Sequence, residues 1–364
     1  MAIVGGGPAG ATLGRLLAAG GARVVLLERC RLPRYKPCGG GLTARSLALL
    51  PPSARALARQ WSAEAVVVCG RHRLRVRSSG TPLGLVCRDA FDHHLVELAA
   101  AAGVQVRDGV AVTAADLTPE GVELRAGGER VRARFLACAD GATGPFSGPA
   151  AAAVGLAGCP RRIGALEVEV QEPAAGWSEG LRGDFDLVPQ GYGWVFPKDG
   201  TLSVGVASWA DVGGRALREA LRTYLRRLGL GGEPVLRSHG HPIPVGGRLP
   251  AGHLASASAL RLGDAAGLAD PLFGEGIAHA LSSAHLAAPA LLRGDLSGYG
   301  GAVARNIYRP FRAAAGCARV FYPAPAPWFL LAGAVPAVGD RFFRLALGGG
   351  PGRGNGGRPD APAV

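Results

Sequence analysis

The chain is poor in lysine. Only Lys36 and Lys198 occur, and the rest of its 40 basic residues are arginine, set against 27 acids for a net charge of +13. A positive surface of this strength suits nucleic acid, anionic lipid or a diphosphate-bearing substrate. A GC-rich genome would also enrich Arg, Ala, Gly and Pro together. No basic run is interleaved with aromatics, which argues against nucleic acid as a partner. The seven cysteines, Cys30, Cys38, Cys69, Cys87, Cys138, Cys159 and Cys317, contain no C-x-x-C pair and are odd in number. This speaks against a disulfide framework and a zinc site, and for a reducing compartment. No signal peptide precedes the first apolar run, which begins at Ala2 and leaves room for a few residues ahead of it. A membrane-length apolar run is missing too. The most apolar late stretch, residues 321–338, is broken by Pro323, Pro325, Pro327 and Pro336. It makes a poor transmembrane helix but can lie on a membrane or line an apolar tunnel. The expected location is therefore cytoplasmic, with peripheral contact at the inner face of an anionic membrane. No internal repeat is present.

What the chain does have is length and punctuation. Its 364 residues are 48% hydrophobic and include 58 Gly and 27 Pro, spread between periodic apolar segments. That is a folded protein with many turns and enough chain for two lobes. The organising stretch is the first 28 residues. Ala2-Ile3-Val4 runs directly into Gly5-Gly6-Gly7-Pro8-Ala9-Gly10. Residues 11–19 follow with helical spacing, Leu13, Leu16 and Leu17 sharing one face. Arg23 to Leu27 reads as a second buried strand, with Glu28 at its end. Strand, G-x-G-x-x-G, helix, strand and acid make a dinucleotide fingerprint. Gly5 permits the tight turn, Gly7 lets backbone approach a pyrophosphate, and Gly10 lets helix and strand pack closely. The helix N-terminus offers free N–H groups to the phosphates, and Glu28 can take the ribose hydroxyls.

Further along, Lys36-Pro37-Cys38-Gly39-Gly40-Gly41 forms a glycine-rich loop, and Thr43 can cap the helix after it. Residues 66–77 read as a strand or hairpin, and Arg88 leads Phe91-Asp92 into a helix ending near Gly103. Residues 122–124 and 131–134 pair as a hairpin around Gly127-Gly128. A buried strand at 135–139 turns at Asp140-Gly141-Ala142-Thr143-Gly144. From about residue 150 the character changes. Strands at 166–170, 185–188, 193–196 and 202–207 predict an antiparallel sheet, with one face covered and the other offered to a ligand. Residues 215–228 read as an amphipathic helix. Leu260 to Gly267 is another strand and turn, and 276–292 a long Ala-rich helix. The chain thus leaves a nucleotide lobe and returns to it. The expected division is a nucleotide lobe at 1–64 and 86–150, interrupted by a sheet excursion at 65–85. An antiparallel-sheet substrate domain at 151–255 and a return segment at 256–292 follow. A helical segment at 293–347 and a disordered tail at 348–364 complete the chain.

Four pieces together resemble the FAD-dependent oxidoreductases of the para-hydroxybenzoate hydroxylase class over roughly residues 1–290. They are the fingerprint with Glu28, Ala139 to Thr143, Arg88 ahead of its helix, and Gly263-Asp264-Ala265-Ala266-Gly267 with Pro271 and Gly274-Glu275-Gly276-Ile277. Two more narrow the resemblance to the geranylgeranyl reductase family. The Lys36 to Gly41 loop looks like that family's signature loop. Pro189-Gln190-Gly191-Tyr192-Gly193-Trp194-Val195-Phe196-Pro197 matches its P-x-x-Y-x-W-x-F-P pattern. The class is α/β with an α+β second lobe: a Rossmann-like FAD domain interleaved with an antiparallel-sheet substrate domain, followed by C-terminal helices. In the Asp140 turn, Thr143-Gly144 stands where Ser is common and no Arg follows closely, which loosens a minor contact.

The resemblance implies roles. Gly5, Gly7, Pro8, Ala9 and Gly10 hold the FAD pyrophosphate, and Glu28 the adenosine ribose, with Arg29 and Gly39 also in the cofactor set. Arg88 approaches the ribityl or phosphate region, or is a surface helix residue. Asp264 bonds the ribityl chain, or merely turns the backbone. Gly276 and Ile277 meet the flavin at a helix N-terminus, where negative charge is favoured. Cys38 borders the flavin; it is a proton donor or redox tuner, or it simply fits a tight loop. Tyr192 is the other catalytic candidate. Tyr192, Trp194 and Phe196 alternate on one strand, so they share a face and form a wall over flavin or substrate, unless they are ordinary sheet core. His239 and His241 are read as structural, and no metal is expected.

The implied reaction is saturation of isolated C=C bonds in a geranylgeranyl-type chain (prenyl diphosphate, prenylated lipid or menaquinone tail) by hydride transfer from reduced FAD. The alternative is an FAD-dependent monooxygenase or halogenase acting on an aromatic substrate. The third reading is a flavin-binding membrane-surface protein without turnover. No second G-x-G-x-x-G is present, so the electron donor is transient NAD(P)H or a ferredoxin-type protein.

Overall fold

The computed structural model describes residues 1–77, 81–246 and 249–335. A parallel sheet forms the base of the nucleotide lobe. Its strand order is Ala259–Arg261, Leu136–Cys138, Ala2–Val4, Val25–Glu28, Gln105–Asp108. Apart from the edge strand Gln105–Asp108, these strands are short, mostly apolar and buried, and read as continuous runs rather than as an alternation. The fingerprint loop leaves the carboxyl end of the central strand and enters helix Pro8–Ala19, with Pro8 in its first turn and Gly7 as N-cap. Leu13 and Leu17 are fully buried one turn apart. Helix Ile277–Arg293 lies against this helix and buries Ala280, Ala284, Ala287 and Ala288. Small residues on its packed face let the two backbones come close. The strand Ala259–Arg261 returns the chain to the parallel sheet beside Leu136–Cys138, as the sequence suggested.

The second lobe is a seven-stranded sheet in the order Val235–Pro244, Arg162–Gln171, Thr201–Ser208, Gly191–Lys198, Leu181–Asp184, Glu64–Cys69, His72–Arg77. Its outer hairpin comes from early in the chain. The excursion expected at 65–85 is thus an edge of the substrate sheet, joined by parallel pairing of Leu181–Asp184 with Glu64–Cys69. The strand expected at 185–188 is also displaced, to Leu181–Asp184. Arg182 is chelated by Asp184, which also takes the Tyr224 hydroxyl at 2.8 Å, so a charged pair lies inside the strand where an apolar run was sought. Helix Gly213–Arg227 covers one face through Leu217, Leu221 and Tyr224. The opposite face looks into a cavity between the lobes.

The C-terminal part is helical: Tyr299–Val303, a single π-type turn over Ala304–Tyr308, Arg309–Phe321 and Pro325–Ala334. Among the described residues no helix is long and apolar enough to cross a membrane. The tail expected from 348 onward lies outside the described residues.

Candidate active site

The fingerprint glycines can be judged by what a side chain would meet. A Cβ on Gly5, which has φ +106°, would collide with the Ala139 carbonyl, and one on Gly10 with the Gly5 carbonyl. A Cβ on Gly7 would meet nothing nearer than Arg34 Nη2 at 3.7 Å. Two glycines are therefore demanded by packing, and the third faces open space at a helix N-terminus. That is the cradle a diphosphate needs. Glu28 is buried at the next strand end. Its carboxylate accepts the Gly6 N–H at 2.7 Å and the Cys30 N–H at 3.0 Å, which fixes it at the cavity rim. Arg29 lines the same rim and donates to Thr143 Oγ1 at 3.3 Å.

From this cradle a cavity of about 620 Å³ runs to the open face of the large sheet. Gly5, Gly7, Pro8, Ala9, Glu28, Arg29, Cys38, Gly39, Arg88, Asp264, Gly276, Ile277, Tyr192, Trp194 and Phe196 all line it. Of the expected cofactor residues, Gly10 alone is set back, behind the loop it supports. The alternation on strand Gly191–Lys198 holds. Tyr192 and Trp194 face the cavity with ring centroids 5.9 Å apart, while Gly193 packs against Tyr224 on the covered face. Phe196 lies flat on Gly39, where any side chain would occupy its ring. The glycine-rich loop and the aromatic strand, far apart in sequence, meet at this contact.

The loop's polar anchors come from both lobes. Glu167 accepts the Tyr35 hydroxyl at 3.0 Å and faces the Cys38 N–H, and burial raises its pKa. Glu169, two residues on and so on the same face, takes the Lys198 ammonium at 2.7 Å. Arg237 stacks over the Tyr35 ring at 4.5 Å. Cys38 Sγ accepts the Gly40 N–H at 3.3 Å and lies beside Arg88.

Several cavity residues escaped the sequence reading. Lys36 stands 3.0 Å from His241 Nε2 and 3.6 Å from Asp264 Oδ2. Burial lowers the pKa of both Lys36 and His241, and the Lys36 charge further disfavours protonation of His241. A neutral imidazole accepting from Lys36 satisfies both groups. His241 is thus a cavity residue and not structural filler; His239 also lines the cavity, its ring against Tyr35. The two-residue spacing of the histidines on strand Val235–Pro244, which puts both on one face, is the signal in the sequence. Among the described residues no cluster suited to a metal exists. Arg34 was missed as well. It donates to Asp92 at 3.1 Å, lies 3.6 Å from Glu28, and is the side chain nearest Gly7. Arg88 lines the wall, but its guanidinium is committed to Asp92 through bonds of 2.7 and 2.8 Å. Arg34, not Arg88, is the cation nearest the cradle.

Asp140 also lines the cavity. Oδ2 accepts the Phe146 N–H at 2.7 Å, while Oδ1 has no partner among the described residues. Burial raises its pKa to about 6. A carboxyl with a raised folded pKa binds its proton more tightly folded than unfolded. Its ionisation therefore destabilises the fold as pH rises through that value, by no more than about 3 kcal/mol. Asp140→Asn is expected to raise the thermal midpoint of the FAD-free protein at about pH 8 and to change it little near pH 4. An equal shift at both would show that this carboxyl carries no charge penalty.

The cradle, the rim acid and the cavity between the lobes define a flavin-dependent oxidoreductase of the Rossmann type. The model of the FAD binding domain matches residues 1–180. The chain is 30% identical over 326 residues to menaquinone reductase of Mycobacterium tuberculosis, covering 81% of this chain and 77% of that protein. It is 27% identical over 320 residues to the chloroplastic geranylgeranyl diphosphate reductase of Oryza sativa, covering 82% and 67%. In fold it superposes on a geranylgeranyl bacteriochlorophyll reductase-like protein of Thermoplasma acidophilum. That match has a TM-score of 0.77 at 22% identity, over 94% of this chain and 98% of that one. The chain belongs to the geranylgeranyl reductase family of FAD-dependent oxidoreductases.

Proposed function

We propose that the protein saturates C=C bonds of a geranylgeranyl-type isoprenoid chain. The observation that carries this reading is the seam between the lobes: Gly39 on Phe196, in a cavity that continues from the diphosphate cradle to an aromatic wall. When bound, reduced FAD supplies the hydride. Gly5, Gly7, Pro8, Ala9 and the helix N-terminus hold its diphosphate, with Arg34 as the adjacent cation. Glu28 and Arg29 hold the adenosine side, Asp264 the ribityl chain, and Gly276 with Ile277 the ring. Apolar residues of the wall, among them Ala65, Val67, Leu181, Phe185, Trp194 and Phe273, exclude water from the alkene. Each buried CH₂ contributes about 0.8 kcal/mol. A chain of about twenty carbons therefore grosses on the order of 10 kcal/mol before ordering costs, and little polar recognition is needed.

The proton must come from a group facing the cavity. Tyr192 is ill suited. Its hydroxyl is donated to the Phe273 carbonyl at 2.6 Å, and burial pushes its pKa up. It acts in this reading as wall and not as acid. Cys38 is the donor of choice, with Lys36 next to it in the same loop. Cys38→Ser is expected to retain FAD and to slow single-turnover reduction at least about 100-fold. An unchanged rate would remove the role from Cys38 and leave Lys36.

The test of the function is spectral. Holoenzyme reduced by dithionite without oxygen is mixed with geranylgeranyl diphosphate or with a menaquinol, whose reduced ring cannot itself reoxidise the flavin. Return of the oxidised flavin spectrum with either is expected. Silence with both, together with rapid reoxidation by air in the presence of an electron-rich aromatic, would favour the oxygenase or halogenase reading.

A further inference from the structure

Helix Pro325–Ala334 has no charged side chain, and neither does the chain on either side of it from Pro323 to Val335; the Trp328 indole N–H is its one polar side-chain group. Its inner side is anchored. Phe329 is buried 5.7 Å from Phe185, and Gly333 packs on Leu74 of the outer hairpin. Its outer side is bare: Leu330 is 55% exposed, Leu331 44% and Val335 43%. A water-facing helix should carry its charges on that side. The preceding helical run carries a different surface. Arg305, Arg309, Arg312 and Arg319 are all exposed and recur at helical spacing along one stripe, which ends at Val320, itself 60% exposed. From Leu296 to Val335 the sequence contains no Asp or Glu. Among the described residues none of these four arginines pairs with a carboxylate, whereas Arg73, Arg77, Arg182 and Arg227 of the sheet lobe do.

We propose that this face docks on an anionic lipid bilayer, with Leu330, Leu331 and Val335 seated among the acyl chains and the arginine stripe on the headgroups. The helix has ten residues and is about 15 Å long, half the hydrocarbon thickness, so it lies in the interface and does not span it. Charge selects this occupant over a second copy of the chain, because two such faces would bring eight unpaired guanidiniums together. The docked helix also backs the wall of the proposed substrate site. Phe329 touches Phe185, which lines the cavity beside Tyr192. On the prenyl-reductase reading, the isoprenoid enters from the bilayer past this helix. The docking itself does not depend on that reading.

The test uses the full-length holoenzyme, sedimented with vesicles of phosphatidylcholine alone or with about one-third phosphatidylglycerol. Binding to the anionic vesicles only, weakening with salt, is expected. Neutralising a surface arginine is expected to cost about fivefold in partitioning. The triple variant Arg309→Gln, Arg312→Gln, Arg319→Gln should therefore lose on the order of 100-fold, and Leu330→Glu with Leu331→Glu at least as much. FAD absorbance and thermal midpoint serve as the folding control; if the glutamate pair melts early, Leu330→Ser with Leu331→Ser replaces it. The proposal is overturned by wild-type protein that ignores both vesicles, by folded variants that sediment like wild type, or by a leucine variant that turns a dimer into a monomer while vesicle binding is unchanged. Full vesicle binding with no reduction of any prenyl compound would instead overturn the proposed function.

Discussion

Asp92→Ala is expected to lower stability by about 3–5 kcal/mol, because it strands buried cations. Asp92 is fully buried and receives two bonds from Arg88 and one from Arg34. Both arginines line the cavity, and the Arg88 side chain is almost wholly buried. In a chain of this length the loss corresponds to roughly 4–7 °C in thermal midpoint. FAD affinity should fall with it, since Arg34 is steered toward Gly7 by Asp92. Asp92→Asn keeps the shape and one acceptor, and should fall between alanine and wild type. A variant Asp92→Ala that melts like wild type and stays yellow would show that this carboxylate does not organise the wall.

The second large effect separates folding from binding at the cradle. Gly10→Ala drives a methyl into the Gly5 carbonyl and toward Ile3, and neither backbone can yield without opening the turn. Overpacking of this kind costs about 1–3 kcal/mol or more, and on the order of 100-fold in FAD affinity where the loop absorbs it. Gly7→Ala has no such conflict. Its φ of −80° suits any residue, and its methyl meets only Arg34 Nη2 at ordinary contact distance. The FAD-free Gly7→Ala protein should therefore melt like wild type, while its FAD affinity falls because the methyl stands where the diphosphate approaches. Calorimetry with and without FAD checks both. Undiminished FAD binding by Gly7→Ala would mean that the diphosphate does not pass this loop.

The sequence was most informative where a backbone requirement and a side-chain period coincide. Gly5, Gly7 and Gly10 constrain a turn, an approach and a packing contact, and each constraint leaves a glycine. Tyr192, Trp194 and Phe196 alternate on a strand, and their shared face follows from that. Less legible were contacts set by tertiary placement. The hairpin at 64–77 looks like a local excursion, and only its parallel pairing with Leu181–Asp184 makes it an edge of the substrate sheet. The Arg182–Asp184 pair hides a strand, because charged residues there count against burial until their mutual bonds are seen. Lys36 and His241 are 205 positions apart and meet across the two lobes, so no local pattern could join them. Arg34 sits in a stretch without periodicity, and its approach to Gly7 depends on Asp92.

The most direct measurement is the mass of the product. Reduced holoenzyme is incubated without oxygen with geranylgeranyl diphosphate and, separately, with a menaquinone, and each compound is then weighed by mass spectrometry, the quinone after its ring has been reoxidised. A gain of one hydrogen pair for every double bond lost, in one of the two, is the expected result, and it identifies the head group the enzyme accepts. Unchanged mass in both, with oxygen or halogen added to an aromatic acceptor once air and halide are supplied, would contradict the account.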